Sequence, residues 1–348
     1  MKKIALPLCF ACACTFALSG AGCSPNGKIK NVILVIGDGM GTNHIENART
    51  YFDLSSPDFL SDKKGEVLTY SYDNSVTDSA AAASAMATGQ KVRNSSISMD
   101  IQGEKLTSIS SLAKNAGKKV GVITTDTLDG ATPAAFSSHA SDRNESEQIA
   151  KGQAKSGIDL FMGKATSAYQ TTYSQLFTQS GYDLLFTPPS ETQLVSEKLT
   201  VLLSETRSSY NENIENAYNL KDMAAFAVDF LENEKGYFLM IEGAYIDKYS
   251  HSNDITSALC EVRALFDTVE YLYNRVGKDT AIIITADHET GKLRKANDKT
   301  EISNRLYAST NHTATAVPYY LKNCQWNTDG AFIDNTDIFK MCKQFLNV

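Results

Sequence analysis

Asn31–Gly41 reads NVILVIGDGMG. Val32–Ile36 is a run of five apolar residues, four of them β-branched, with no polar face. Such a run reads as a central strand of a parallel sheet, buried on both sides. GDGMG then stops it with an acid set among glycines. The pattern returns in KVGVIT (Lys119–Thr124), YFLMIEG (Tyr237–Gly243) and AIIITADH (Ala281–His288). Amphipathic segments lie between these runs. Asp222–Glu232 carries Met223, Phe226, Phe230 and Leu231 on one stripe, and Ile255–Val276 carries Leu259, Val262, Phe266 and Val269. The alternation predicts an α/β fold, a three-layer α/β/α sandwich around a large, mostly parallel mixed sheet. Ser137–Arg207 is polar and Ser/Thr-rich, with TPPSET (Thr187–Thr192) as a loop; helical substructure is expected there without placeable boundaries.

The strand ends share a property. Asp38 follows VILVI, Glu242 closes YFLMI, and Asp287–His288 follows IIIT. Ligands of open α/β sheets bind beyond the carboxyl ends of the strands, so these acids are expected on one rim. DKYSH sets Asp247 and His251 four residues apart, on one face of a helical turn. His312 lies in the polar stretch NHTATAVP, so three of the five histidines fall in these segments. Carboxylate and imidazole together suit zinc. Each signal alone has a plainer explanation: a surface Asp–His pair, a strand-ending GDG turn, a buried ion pair at Glu242, a solvated loop charge at Arg143. Their joint occurrence at strand ends points to a metal centre. Dinucleotide binding is excluded, because GDGMGT lacks the third glycine of GxGxxG.

Val76–Gly89, VTDSAAAASAMATG, poses a choice. Asp78 and Ser79 are preferred helix caps, and alanine is the best helix former. Either this is an ordinary helix start, or the helix is a mount for Ser79. A helix N-terminus carries partial positive charge, which suits an anion bound at such a serine.

These motifs, with ATPAAFSSHASDR and a final TDIFKMCKQFL helix, resemble the alkaline phosphatases, metal-dependent phosphomonoesterases of bacterial type. The resemblance runs from about Lys30 to the C-terminus and implies an alkaline phosphatase-like sandwich. It implies hydrolysis of small-molecule phosphate monoesters through a phosphoserine at Ser79. It further implies two Zn²⁺ and one Mg²⁺. Asp247, His251 and His312 match the ligands of one zinc; Asp38, Asp287 and His288, with the Ser79 oxygen, match those of the second. Asp38, Thr132 and Glu242 match the magnesium ligands, an all-oxygen set. Arg143 matches the arginine whose planar fork clamps phosphate oxygens. A homodimer is usual in the family.

The chain also departs from that pattern. Ser84 stands where threonine is common. Gly130 stands two residues before Thr132, where the bacterial type has aspartate and animal enzymes histidine. Lys248 matches the lysine of the bacterial type, which leaves it either without its carboxylate partner or paired with Asp129. The segment between His288 and His312 is compact, with no room for a crown-like insertion. The alternative function is a phosphodiesterase or other metal-dependent hydrolase of the same superfamily; Ser79, Arg143, Thr132 and Glu242 argue against it. His44 and His139 stay unassigned to the site and read as structural.

Composition limits the remaining classes. The 348 residues suffice for one large domain, and the net charge of −7 argues against nucleic-acid binding. It also gives no long-range attraction for anionic substrates, so an anion site must be local. MKK followed by the apolar Ile4–Gly22 reads as a signal segment. The expected organisation is a signal peptide at 1–22, a tether at 23–30 and one catalytic domain at 31–348. Small residues before Cys23 resemble a lipobox, although Gly20 stands where an aliphatic residue is usual. Lipidation of Cys23 is favoured over ordinary cleavage near Gly22 or an uncleaved anchor, and implies a periplasmic or cell-surface protein held to a membrane. Of the seven cysteines, Cys260, Cys324 and Cys342 lie beyond residue 30. An odd number without CxxC gives no disulfide framework or zinc ribbon; a Cys324–Cys342 bridge is left open.

Overall fold

The computed structural model describes residues 28–54, 57–189, 196–208, 210, 218–328 and 330–348. The signal segment, Cys23 and the first part of the tether lie outside the described residues, as do residues 190–192 of the TPPSET loop. In chain order the strands are β1 (Asn31–Gly37), β2 (Lys63–Leu68), β3 (Lys119–Thr127), β4 (Leu160–Lys164), β5 (Asp183–Leu185), β6 (Leu199–Leu203), β7 (Tyr237–Gly243), β8 (Thr280–Ala286), β9 (Glu289–Thr290), β10 (His312–Thr313), β11 (Val317–Lys322) and β12 (Phe332–Asp334). The helices are α1 (Thr42–Tyr51), α2 (Ser79–Thr88), α3 (Ile109–Asn115), α4 (Ala131–Ser137), α5 (Ser146–Lys155), α6 (Ser174–Gln179), α7 (Leu220–Leu231), α8 (Tyr245–His251), α9 (Ile255–Arg275) and α10 (Asn335–Leu346).

Ten strands form one sheet in the order β12-β2-β11-β8-β1-β7-β3-β4-β6-β5. Only β11 runs against its neighbours, so the sheet is mixed but mostly parallel. Val32–Ile36 is fully buried, as its unbroken apolar run requires. Helices α2, α3, α4 and α10 pack together against the sheet, and α1, α7 and α9 form a second packed group on it. The α/β sandwich expected from the sequence is therefore present.

The four sequence-read strands are all formed. The stripe on α7 is different from the one expected. Leu220, Met223, Ala224, Ala227, Val228 and Leu231 are buried, while Phe226 and Phe230 sit at the margin and stack on each other, centroids 5.7 Å apart. Small alanines let α7 approach the sheet, so the large rings fall to the edge. The polar stretch Ser137–Arg207 holds helices α5 and α6, but also strands β4, β5 and β6. Cys260, Cys324 and Cys342 are all free thiols, so the Cys324–Cys342 bridge is absent. Among the described residues, no helix is long and apolar enough to cross a membrane.

Candidate metal centre

Strand register sets the rim. Gly37 of β1 pairs with Gly243 of β7 and Ala286 of β8, and Thr124 of β3 pairs with Glu242. The residues that follow therefore emerge side by side. Asp38 donates its N–H to the Gly243 carbonyl at 3.1 Å. Gly39 turns the chain with φ +71°, and its N–H donates to Asp287 Oδ1 at 3.0 Å. A Cβ there would meet Asp247 at 2.9 Å, so conformation and space both require glycine.

The acids and histidines converge. Asp247, His251 and His312 offer ligand atoms within 4.8 Å of one another, and so do Asp38, Asp247 and His288. His251 Nε2 lies 3.2 Å from Asp247 Oδ2 and 3.1 Å from His312 Nε2. His288 Nε2 lies 3.2 Å from Asp287 Oδ2 and 3.5 Å from Asp38 Oδ1. The His288 and His312 rings stack at 3.6 Å. Backbone carbonyls aim the rings: His251 Nδ1 lies 2.6 Å from the Thr310 carbonyl and His312 Nδ1 3.0 Å from that of Thr77. Such partners leave the other ring nitrogen facing inward as a ligand. Thr290 donates its hydroxyl to Asp247 Oδ1.

Like charges crowd this centre. Burial, then Asp287, Asp247 and Glu242, holds the Asp38 carboxyl well above the usual range. Burial and Asp126 push Glu242 up to about 8, against the hydrogen bond it receives from Thr124. Burial also raises Asp247, but His251, His288 and His312 outweigh it, so this acid ends well below its ordinary value. Asp38 Oδ1 and Asp287 Oδ2 are buried without a well-aligned hydrogen-bond partner. Orphaned oxygens beside clustered acids fit divalent cations, which would satisfy the lone pairs and neutralise the charge.

Asp78 is the cap of α2: its Oδ1 accepts from the Ala81 N–H at 2.9 Å. Ser79 is the first helical residue, with its Oγ 3.2 Å from His288 Nε2. All ten residues of α2 are buried, and the helix ends at Gly89 in the left-handed region. Asp78 Oδ2 accepts from the Ser95 N–H at 2.9 Å and pairs with Arg143 Nη1 at 3.3 Å, which leads that side chain toward Ser79. Asp78→Ala is expected to cost about 1–2 kcal/mol of stability through the lost cap. Urea unfolding measures this, and an unchanged midpoint would remove the capping role.

A profile of the alkaline phosphatase family matches residues 29–168 and 197–325. The chain belongs to the alkaline phosphatase family. It is similar to alkaline phosphatase 4 of Bacillus subtilis (strain 168), with 34% identity over 286 residues, covering 76% of this chain and 62% of that protein. Alkaline phosphatase 3 of the same organism is 32% identical over 287 residues, at the same coverage. The chain thus spans about three fifths (62%) of the length of these relatives. Among solved structures, the alkaline phosphatase of the Antarctic bacterium TAB5 superposes with a TM-score of 0.81 at 26% identity, covering 92% of this chain and 99% of that one. The cold-active enzyme of Shewanella sp. superposes at 0.78 with 25% identity, covering 91% and 99%.

Other alkaline phosphatase features of the sequence map as follows. Thr132 lies in α4 and Glu242 near the end of β7, so the all-oxygen trio Asp38, Thr132 and Glu242 is drawn from the turn after β1, from α4 and from β7. Ser84 donates to the Ser96 carbonyl and accepts from the Ser98 N–H, tying α2 to the following loop. His44 is buried, with Nε2 3.0 Å from Ser250 Oγ and Nδ1 accepting from the Gly41 N–H; burial lowers it to about 4. His139 contacts the Leu106 carbonyl at 2.7 Å. The partner of Lys248 is Asp126, not Asp129. Asp126 was missed because only its position past the end of KVGVIT, matching the acids after the other strands, marked it.

Proposed function

We propose that the chain hydrolyses phosphate monoesters to alcohol and inorganic phosphate, with Ser79 as nucleophile and phosphoserine as intermediate. The observation that carries this reading is the placement of Ser79 Oγ, buried, at a helix N-terminus and 3.2 Å from His288 Nε2 within the acid–histidine cluster. Asp247, His251 and His312 would hold one zinc, and Asp38, Asp287 and His288 the second. Asp38, Thr132 and Glu242 would hold magnesium. When bound, the metals supply Lewis acidity to the attacking and leaving oxygens. The solved relatives include variants of the TAB5 enzyme in which a histidine is replaced by glutamate or aspartate, with magnesium in a site called M3; they support a third, magnesium-type site.

The chain's own residues account for the remaining steps. Ser79 Oγ attacks phosphorus and the alcohol leaves; water then cleaves the phosphoserine, restoring the hydroxyl. Ser79 Oγ faces the same side of the cluster as His288 Nε2, the nitrogen that would bind the second zinc. The α2 N-terminus and Arg143 favour the doubly charged phosphoryl group, with the guanidinium matching two of its oxygens. A diester carries less charge and an extra substituent, so this arrangement favours monoesters over the phosphodiesterase alternative. Export as a Cys23-anchored protein and assembly as a homodimer belong to the same proposal.

Kinetics on chromogenic mono- and diesters of one leaving group, in zinc and magnesium, test the reading. Clear preference for the monoester is expected; preference for the diester overturns it. Arg143→Ala should lower monoester kcat/KM about 10–100-fold, the loss of charge-assisted hydrogen bonds, and narrow the gap to the diester. A variant that loses both substrates equally would deny Arg143 that selective role.

A further inference from the structure

Lys248 follows Asp247 on α8 and donates its ammonium to Asp126 Oδ1 in a direct ion pair. Asp126 lies near the end of β3, where pairing with β4 shifts register between Ile123 and Thr127. Such irregularities re-aim side chains next to sites. The Asp126 N–H donates to Thr124 Oγ1 at 2.8 Å, and that hydroxyl donates to Glu242 Oε2. One connected network therefore runs from Glu242 through Thr124 and Asp126 to Lys248.

Gly130, which caps α4, lies against the same carboxylate. A Cβ at this position would come within 2.9 Å of both Asp126 Oδ2 and the Thr127 carbonyl. Its φ of −52° is open to any residue, so glycine is required here for space. A side chain at 130 and the observed place of Asp126 exclude each other. Two residues further along α4, the buried Thr132 hydroxyl lies beside Glu242.

We propose that Asp126 is the positioning carboxylate of the magnesium-type site, supplying from the end of β3 the acid that α4 lacks at Gly130 and holding Lys248 on the Glu242 side of the centre. The inference rests on the phosphatase reading above and extends it to a residue outside the family motifs. Glu242 and Thr132 would touch the ion, while Asp126 acts through Lys248 and the surrounding hydrogen-bonded shell. Partners of this kind are worth about 10–100-fold in metal affinity.

The test is a magnesium titration of the zinc-loaded full chain by calorimetry, with zinc content by mass spectrometry and folding by circular dichroism. Asp126→Asn preserves shape and should weaken magnesium binding about tenfold or more, with zinc content unchanged. In the otherwise native chain, Gly130→Asp should weaken binding, because it displaces Asp126. Unchanged affinity in Asp126→Asn, or in Gly130→Asp, overturns the inference. A native chain that takes up no zinc and cleaves no monoester overturns the phosphatase reading instead, which separates the two failures.

Discussion

Ser79→Ala is expected to lower monoester kcat/KM about 10⁴-fold or more while leaving the fold intact. The expectation rests on the division of labour at the start of α2. The cap is Asp78, so the Ser79 hydroxyl supports no helix hydrogen bond; its partner is His288. Alanine is the better helix former, and the serine side chain is small and buried. Stability should therefore change by less than about 1 kcal/mol. Asp78→Ala should do the reverse in kind, losing stability through the cap. The two variants separate a helix that merely begins well from a helix that presents a nucleophile. Turnover in Ser79→Ala within tenfold of the native chain would sink the mechanism, whatever its metal content.

The fold was legible where one residue type dominated a whole element. Val32–Ile36 and Ile282–Ile284 are apolar throughout, and only a sheet interior accepts such runs. Because those strands are parallel and in register, their ends had to bring Asp38, Glu242 and Asp287–His288 together. Reading failed where elements are short or their context polar. LFMGK and LTVLL form β4 and β6, yet each is five residues set among serines, threonines and lysines. On α7 the largest apolar residues were read as the buried stripe, whereas packing distance favours alanine at the contact. The partner of Lys248, left open between none and Asp129, escaped the reading for a related reason. Asp129 is nearer to Gly130 in sequence, but the β3 irregularity delivers Asp126, and no local pattern encodes that displacement.

The second large effect is on stability without metal. Glu242 is pushed up to about 8 from an ordinary 4.5, chiefly by burial and Asp126, and Asp38 is raised by burial and three neighbouring acids. A carboxyl whose pKa is higher in the folded state keeps a proton that the unfolded chain has already lost. Stability therefore falls as pH rises from the unfolded value toward the folded one, between about 4.5 and 8 for Glu242. Asp247 is shifted the other way, but its contribution is lost only at acid pH, below that window. His288, lowered chiefly by burial, favours the folded state as pH rises up to its ordinary 6.5, so the decline should be clearest above that value. His251, raised by its hydrogen bond to Asp247, adds to the decline there. Glu242 alone would cost up to a few kcal/mol by pH 8. The metal-free chain should thus melt about 5 °C lower at pH 8 than at pH 6.5. Zinc and magnesium should remove that slope, since cations bind the deprotonated acids of the folded state most tightly where pH is high. The same chelation should abolish monoester turnover, and the metals together should restore it. Scanning calorimetry of chelated and reloaded protein across this range decides the matter. A flat profile in the chelated chain, or turnover indifferent to chelation, would mean that these carboxylates are not poised for cations.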